Sequence, residues 1–150
     1  MNRWMQRWME SVLESRLLWL IARVLVVVVF ASSGLAKLID FNGGMAEMRH
    51  AGLEPAWLFN LAVSTLLLTS VVLILLDCAL WLGATALSVF LILTIVVVHH
   101  FWSLPEQQAM LSLFFALEHL SVIGGLIAVA IASHLRSQWL HAMQRWHQPG

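Results

Sequence analysis

Four stretches of this 150-residue sequence, at 17–38, 55–76, 79–98 and 110–133, are apolar from end to end, with at most two charged residues inside any of them. A helix of roughly twenty such residues crosses the ~30 Å hydrocarbon core of a bilayer, so each stretch reads as a transmembrane span. Strands are a poor reading of the valine-rich runs at 24–29 and 95–98, which sit inside apolar blocks far longer than a barrel strand and do not alternate. Valine's β preference yields to the membrane's demand that every backbone polar group be bonded within its own segment. Composition agrees: 61% of residues are hydrophobic and 11% charged, whereas a soluble domain is about one quarter charged. The expected fold is an all-α integral membrane four-helix bundle, with amphipathic interfacial helices at both ends. Eight basic and eight acidic residues cancel, which leaves no electrostatic basis for a nucleic-acid partner. Cys78 is the single cysteine, which rules out an internal disulfide or a Cys-x-x-Cys redox pair.

The chain divides into an N-terminal helix at 1–16, the four-span domain at 17–133 and a C-terminal tail at 134–150. In the first segment Met1, Trp4, Met5, Trp8, Met9, Val12 and Leu13 share one helical face, and Arg3, Gln6, Arg7, Glu10 and Glu14 take the other. The tail repeats the design, with Leu135, Trp139, Ala142, Met143 and Trp146 opposite Gln138, His141, Arg145 and Gln148. Both segments read as anchors lying on the lipid bilayer, which leaves His134, His141 and His147 solvated. Arg3, Arg7 and Arg16 precede the first span and Arg136 and Arg145 follow the last, while the 40–54 loop carries only Arg49, with Lys37 at its border. The positive-inside rule then places both termini in the cytoplasm of a bacterial inner membrane, with the loops at 39–54 and 99–109 in the periplasm. The first span is too long for a signal peptide and no A-x-A site follows it, so it is expected to remain as a span.

Within the spans, ionisable residues need partners. Arg23 lies about 10 Å into the membrane and Glu118 about 12 Å from the opposite side, an axial offset an extended arginine partly closes. Asp77, in the short turn between the second and third spans, competes for the same guanidinium. Both pairings are open at this point. Polar residues gather toward the outer side on all four spans: Ser32, Ser33 and Lys37, then Ser64 and Thr65, then His99 and His100, then Glu118 and His119. Such residues avoid lipid, so they are expected to line a polar pocket under the outer loops. Adjacent helical positions point about 100° apart, so one member of each pair faces inward unless the helix ends there. Two inward ligands are too few for a zinc centre, and no metal is expected. Bis-histidine haem ligation has no diagnostic spacing here. On the last span Ser121 with Gly125, and Gly124 with Ala128, form small-residue rows that admit a neighbouring helix, either within the bundle or in a homodimer.

From Arg23 to Ala130 the order of these features resembles the DoxX family of four-span membrane proteins. The resemblance rests on the arginine in the first span, F-x-x-x-G-x-x-K as Phe30, Gly34 and Lys37, Ala51-Gly52-Leu53, His99-His100-Phe101-Trp102, and the segment at 120–126 that reads LSVIGGL. Two features depart from it. Family members commonly carry a glutamate early in the second span, where this chain has Thr65 or Leu66. They commonly carry Lys-Asn where this chain has Glu118-His119. The resemblance implies an accessory inner-membrane subunit of a quinone-linked or oxidative-stress redox system, working with a membrane or redox partner protein rather than as an independent enzyme. On that reading a quinone headgroup would sit in the outer pocket among Ser33, Lys37, Thr65, His99, His100, Glu118 and His119, a histidine bonding its carbonyl and Lys37 stabilising the reduced anion. The alternative is a non-catalytic adaptor for a partner protein. A small-molecule transporter is the weakest reading, because no span contains an internal proline.

Overall fold

The computed structural model describes residues 2–146, with side chains described to residue 142. Within them the chain forms α1 (Arg3–Leu13), α2 (Arg16–Ile39), α3 (Phe41–His50), α4 (Ala56–Leu75), α5 (Leu80–Val97), a 3-10 turn (Phe101–Ser103) and α6 (Glu106–Trp146). Four helices are long and apolar enough to cross a membrane. For α2, α4 and α5 the ends differ from the sequence expectation by one residue at either side.

α6 and α3 correct it. The tail is not a separate helix: α6 runs 41 residues without a break, about 62 Å at 1.5 Å per residue and twice the thickness of a bilayer core. No glycine or proline occurs between Gly125 and Pro149 to end it. The amphipathic face expected beyond residue 142, with Met143, Trp146 and His147, lies outside the described side chains. The 40–54 loop, in turn, contains α3. Two consecutive glycines hide that helix from propensity, but the Asp40 carboxylate caps it by accepting from the Gly43 amide at 2.9 Å. Gly44 lets it dock, since a Cβ there would lie 2.3 Å from Asn60 Oδ1 on α4.

The spans form a ring in which α2 packs on α4, α4 on α5 and α5 on α6, and α6 closes back onto α2 along a thinner seam. Among the described residues the backbones of the diagonal pairs, α2 with α5 and α4 with α6, do not approach closely. The core has heptad spacing on each partner: Val27, Phe30, Gly34 and Lys37 on α2, Asn60, Ser64, Leu67, Val71 and Ile74 on α4, and Leu80, Ala84, Leu87 and Leu91 on α5. The F-x-x-x-G-x-x-K pattern is therefore the α2 stripe facing α4. Most of each span remains exposed, as in any bundle whose outer surface meets lipid.

α4 ends in a Schellman turn. Asp77 occupies the left-handed position at φ +55°, its amide bonds the Ile74 carbonyl at 3.2 Å, and the Cys78 amide bonds Leu73 at 3.1 Å. Glycine is the usual residue there, because a Cβ costs about 1 kcal/mol in that conformation. An aspartate held there calls for a compensating use.

Candidate functional site

That use is a junction at the end of the bundle that carries the α4–α5 turn. Asp77 Oδ2 accepts from Trp19 Nε1 of α2 at 2.8 Å, and Oδ1 accepts from Ser133 Oγ of α6 at 2.7 Å. Arg23, eleven per cent exposed, places Nη1 3.6 Å from Oδ2. The same nitrogen donates to the Leu75 carbonyl at 2.9 Å, satisfying an orphan acceptor where the α4 dipole is negative. The Trp19 ring carries two guanidinium groups, Arg23 at 5.3 Å and Arg136 of α6 at 5.5 Å. α2, α6 and the turn thus meet on one carboxylate.

Of the two partners open to Arg23, the structure brings Asp77 to it. Glu118 faces outward from α6, because His119, one position on, occupies the inward side, and 100° separates the two. Glu118→Gln is accordingly expected to change thermal stability in detergent by no more than about 0.5 kcal/mol. The swap Arg23→Glu with Glu118→Arg is expected to melt no higher than Arg23→Glu alone; a rescue would show that the two side chains meet.

At the opposite end of α2 and α4 the arrangement is reciprocal. Asn60 of α4 is fully buried, and its Nδ2 donates to the Lys37 carbonyl in the last turn of α2 at 3.1 Å. Each helix therefore supplies a side chain that caps the other's C-terminal carbonyls. Ser64 Oγ donates to the Asn60 carbonyl at 2.7 Å. The Lys37 ammonium pairs with Glu47 of α3, which fastens α3 over this end. Asn60 and Glu47 went unread in the sequence; an asparagine four residues into an apolar span was the available signal for the first.

The histidines lie elsewhere. His99 stacks on Phe115 with ring centres 5.2 Å apart and meets the edge of His119 at 5.1 Å. His100 turns the other way, its Nδ1 3.2 Å from the Val97 carbonyl oxygen and its ring against Trp102. Both histidines follow the end of α5, so the 100° limit does not bind them. Together they close the joint between α5 and α6 with aromatic contacts. No three His, Cys, Asp or Glu side chains converge among the described residues.

The single outer pocket expected from the sequence is therefore divided. Lys37 is committed to α3 and α4, His99 and His119 to the α5–α6 joint, and Glu118 faces outward. Ser33 is half-buried one position before Gly34. Among the described residues the backbone of the helix bearing Lys37 does not come close to α5 or to the turn that follows it, because ring order places α2 diagonally across from α5.

Thr65 points outward into a lateral groove of about 580 Å³ between α4 and α5. Leu58, Leu61, Leu66 and Leu73 of α4 and Leu82 of α5 supply its apolar wall. Its polar atoms come from Thr65, Thr69 and Ser70. Elsewhere in the spans Ser32, Ser64, Thr85, Ser88, Thr94 and Ser121 each donate to the carbonyl four residues back. The three groove hydroxyls make no such bond among the described residues; Ser70 is buried, and the exposed Thr65 and Thr69 keep donors available to a ligand. Tight packing fixes the floor: a Cβ at Gly83 would come within 2.9 Å of the Ser70 carbonyl oxygen.

The family model described as DoxX matches residues 18–100, from the start of α2 to the end of the α5 joint. The match stops before α6, so the 120–126 segment lies beyond it. No curated protein and no solved structure matches the chain.

Proposed function

Because the chain belongs to the DoxX family, we propose that this multi-pass membrane protein is an accessory subunit of a quinone-linked or oxidative-stress redox system, and that it holds a quinone in the α4–α5 groove. The observation that carries this reading is the groove's composition: an apolar wall suited to an isoprenoid tail, and two exposed, unengaged threonine hydroxyls suited to donate to a ring carbonyl. No titratable side chain among the described residues lines the groove, so the chain supplies binding and orientation, and proton and electron transfer belong to a partner enzyme. The quinone site is thereby moved from the outer histidines to α4, with Thr65 the one residue common to both placements.

The test is extraction of quinone from the purified protein, followed by titration with ubiquinone. Thr65→Val combined with Thr69→Val removes two donors at nearly constant volume and is expected to weaken binding about tenfold or more. A wild-type protein that yields no quinone and binds none added would end the proposal.

A second reading, a membrane adaptor for a partner protein, is favoured by one feature: a Cβ at Gly124 meets nothing within 4 Å, so the outward face of α6 has room for another helix. If the adaptor reading holds, Gly124→Leu abolishes the cellular phenotype while His99→Ala with His100→Ala leaves it intact.

We also assign both termini and the α4–α5 turn to the cytoplasm of a bacterial inner membrane, on the arginine distribution. Cys78 reports on this directly, being the single cysteine and exposed in the turn. A membrane-impermeant maleimide is expected to label it in inverted vesicles and not in intact cells; labelling in spheroplasts would reverse the assignment.

A further inference from the structure

We propose that the seam between α2 and α6, at the end of the bundle carrying Asp77, is a binding site for the phosphate of an anionic phospholipid, held by Arg136 beside Trp19. The charges do not balance there. Arg23 and Arg136 both sit on the Trp19 ring, and the carboxylate at this junction, Asp77, is engaged by Arg23, Trp19 and Ser133. Arg136 has no ion pair among the described residues. Its N–H groups, on a guanidinium whose central carbon lies 5.5 Å from the indole centre, can hold an anion in bidentate geometry. Arg16 lies one turn out from Trp19 on the same face of α2 and is exposed, adding a second unpaired cation.

The surroundings fit an amphiphile rather than a free ion. α4 spans twenty residues, about the depth of the hydrocarbon core, so its end puts this junction at headgroup level. On the membrane side of the junction both helices expose apolar side chains: Leu20 and Val24 on α2, Ile127 and Ile131 on α6. Acyl chains have apolar surface to lie on at the place where the phosphate finds its cations. The thin α2–α6 seam leaves a lateral way in from the bilayer.

The experiment is native mass spectrometry of the full chain after detergent exchange, with phosphatidylglycerol and phosphatidylcholine supplied in equal amounts. The wild type is expected to retain phosphatidylglycerol about fivefold over phosphatidylcholine, and Arg136→Gln to bring the ratio to about one. Arg3→Gln with Arg7→Gln, on the exposed α1, is expected to keep the wild-type ratio. An absence of preference in the wild type would overturn the proposal whether or not the Arg136 variant folds, as would an Arg136→Gln protein with the wild-type ratio. Displacement of the lipid by equimolar inorganic phosphate would assign the site to a free anion instead.

Discussion

Asp77→Ala is expected to lower the unfolding free energy of the detergent-purified protein by about 3 kcal/mol. The substitution removes the acceptor of Trp19 and of Ser133 and leaves the Arg23 guanidinium, mostly buried, without its counter-charge. It also keeps the backbone cost, since alanine at φ +55° is strained as aspartate is. Two companion substitutions separate these contributions. Asp77→Gly loses the same contacts but relieves the left-handed strain, so it is expected to be milder than alanine by about 1 kcal/mol. Asp77→Asn retains an acceptor and tolerates the left-handed region, and is expected to be the mildest of the three. A series in which alanine and glycine melt together would show that the turn is not held in this conformation. If asparagine matched alanine, the charge rather than the hydrogen-bond geometry would be what holds the helices.

Gly83→Val is the second large effect. Its Cβ would approach a backbone carbonyl, that of Ser70, to 2.9 Å, and backbone cannot rotate away as a side chain can. α5 must move off α4 or tilt, at about 1–3 kcal/mol for overpacking in a fitted core. The groove beside it, walled by both helices, would change shape, and quinone retention is expected to fall with stability. Gly124→Ala is the control: its Cβ meets nothing, and replacing a mid-helix glycine is expected to raise stability by about 1 kcal/mol. Thermal unfolding of both proteins in the same detergent checks the contrast. Equal destabilisation by the two would mean that α4 and α5 are not packed at this distance.

The spans were legible because membrane insertion depends on length and apolarity, both of which are local properties. That is why α2, α4 and α5 fall within a residue of expectation. The continuity of α6 was obscured by polarity beyond residue 133, which marks where lipid ends and not where a helix must. α3 was hidden because its Gly43-Gly44 pair is unfavourable in isolation and justified only by the approach of Asn60. The polar residues were recognised individually as needing partners, and Asp77 was named as one of two for Arg23. Their grouping depends on ring order, which sets α2, and Lys37 with it, diagonally across from α5 and is not written in any local stretch. The groove was the least legible part, since Thr65, Thr69 and Ser70 look in sequence like any hydroxyls bonded to their own helix.

The proposed placement of a quinone on α4, and not among the histidines, is tested by photo-crosslinking. An isoprenoid quinone with a photoactivatable group on its ring is irradiated with the purified protein, and the labelled peptides are mapped by mass spectrometry. The label is expected on α4 between Leu58 and Leu73, to be competed by ubiquinone and to fall sharply in the Thr65→Val, Thr69→Val protein. Label concentrated around His99, Phe115 and His119, and undiminished in that variant, would contradict it.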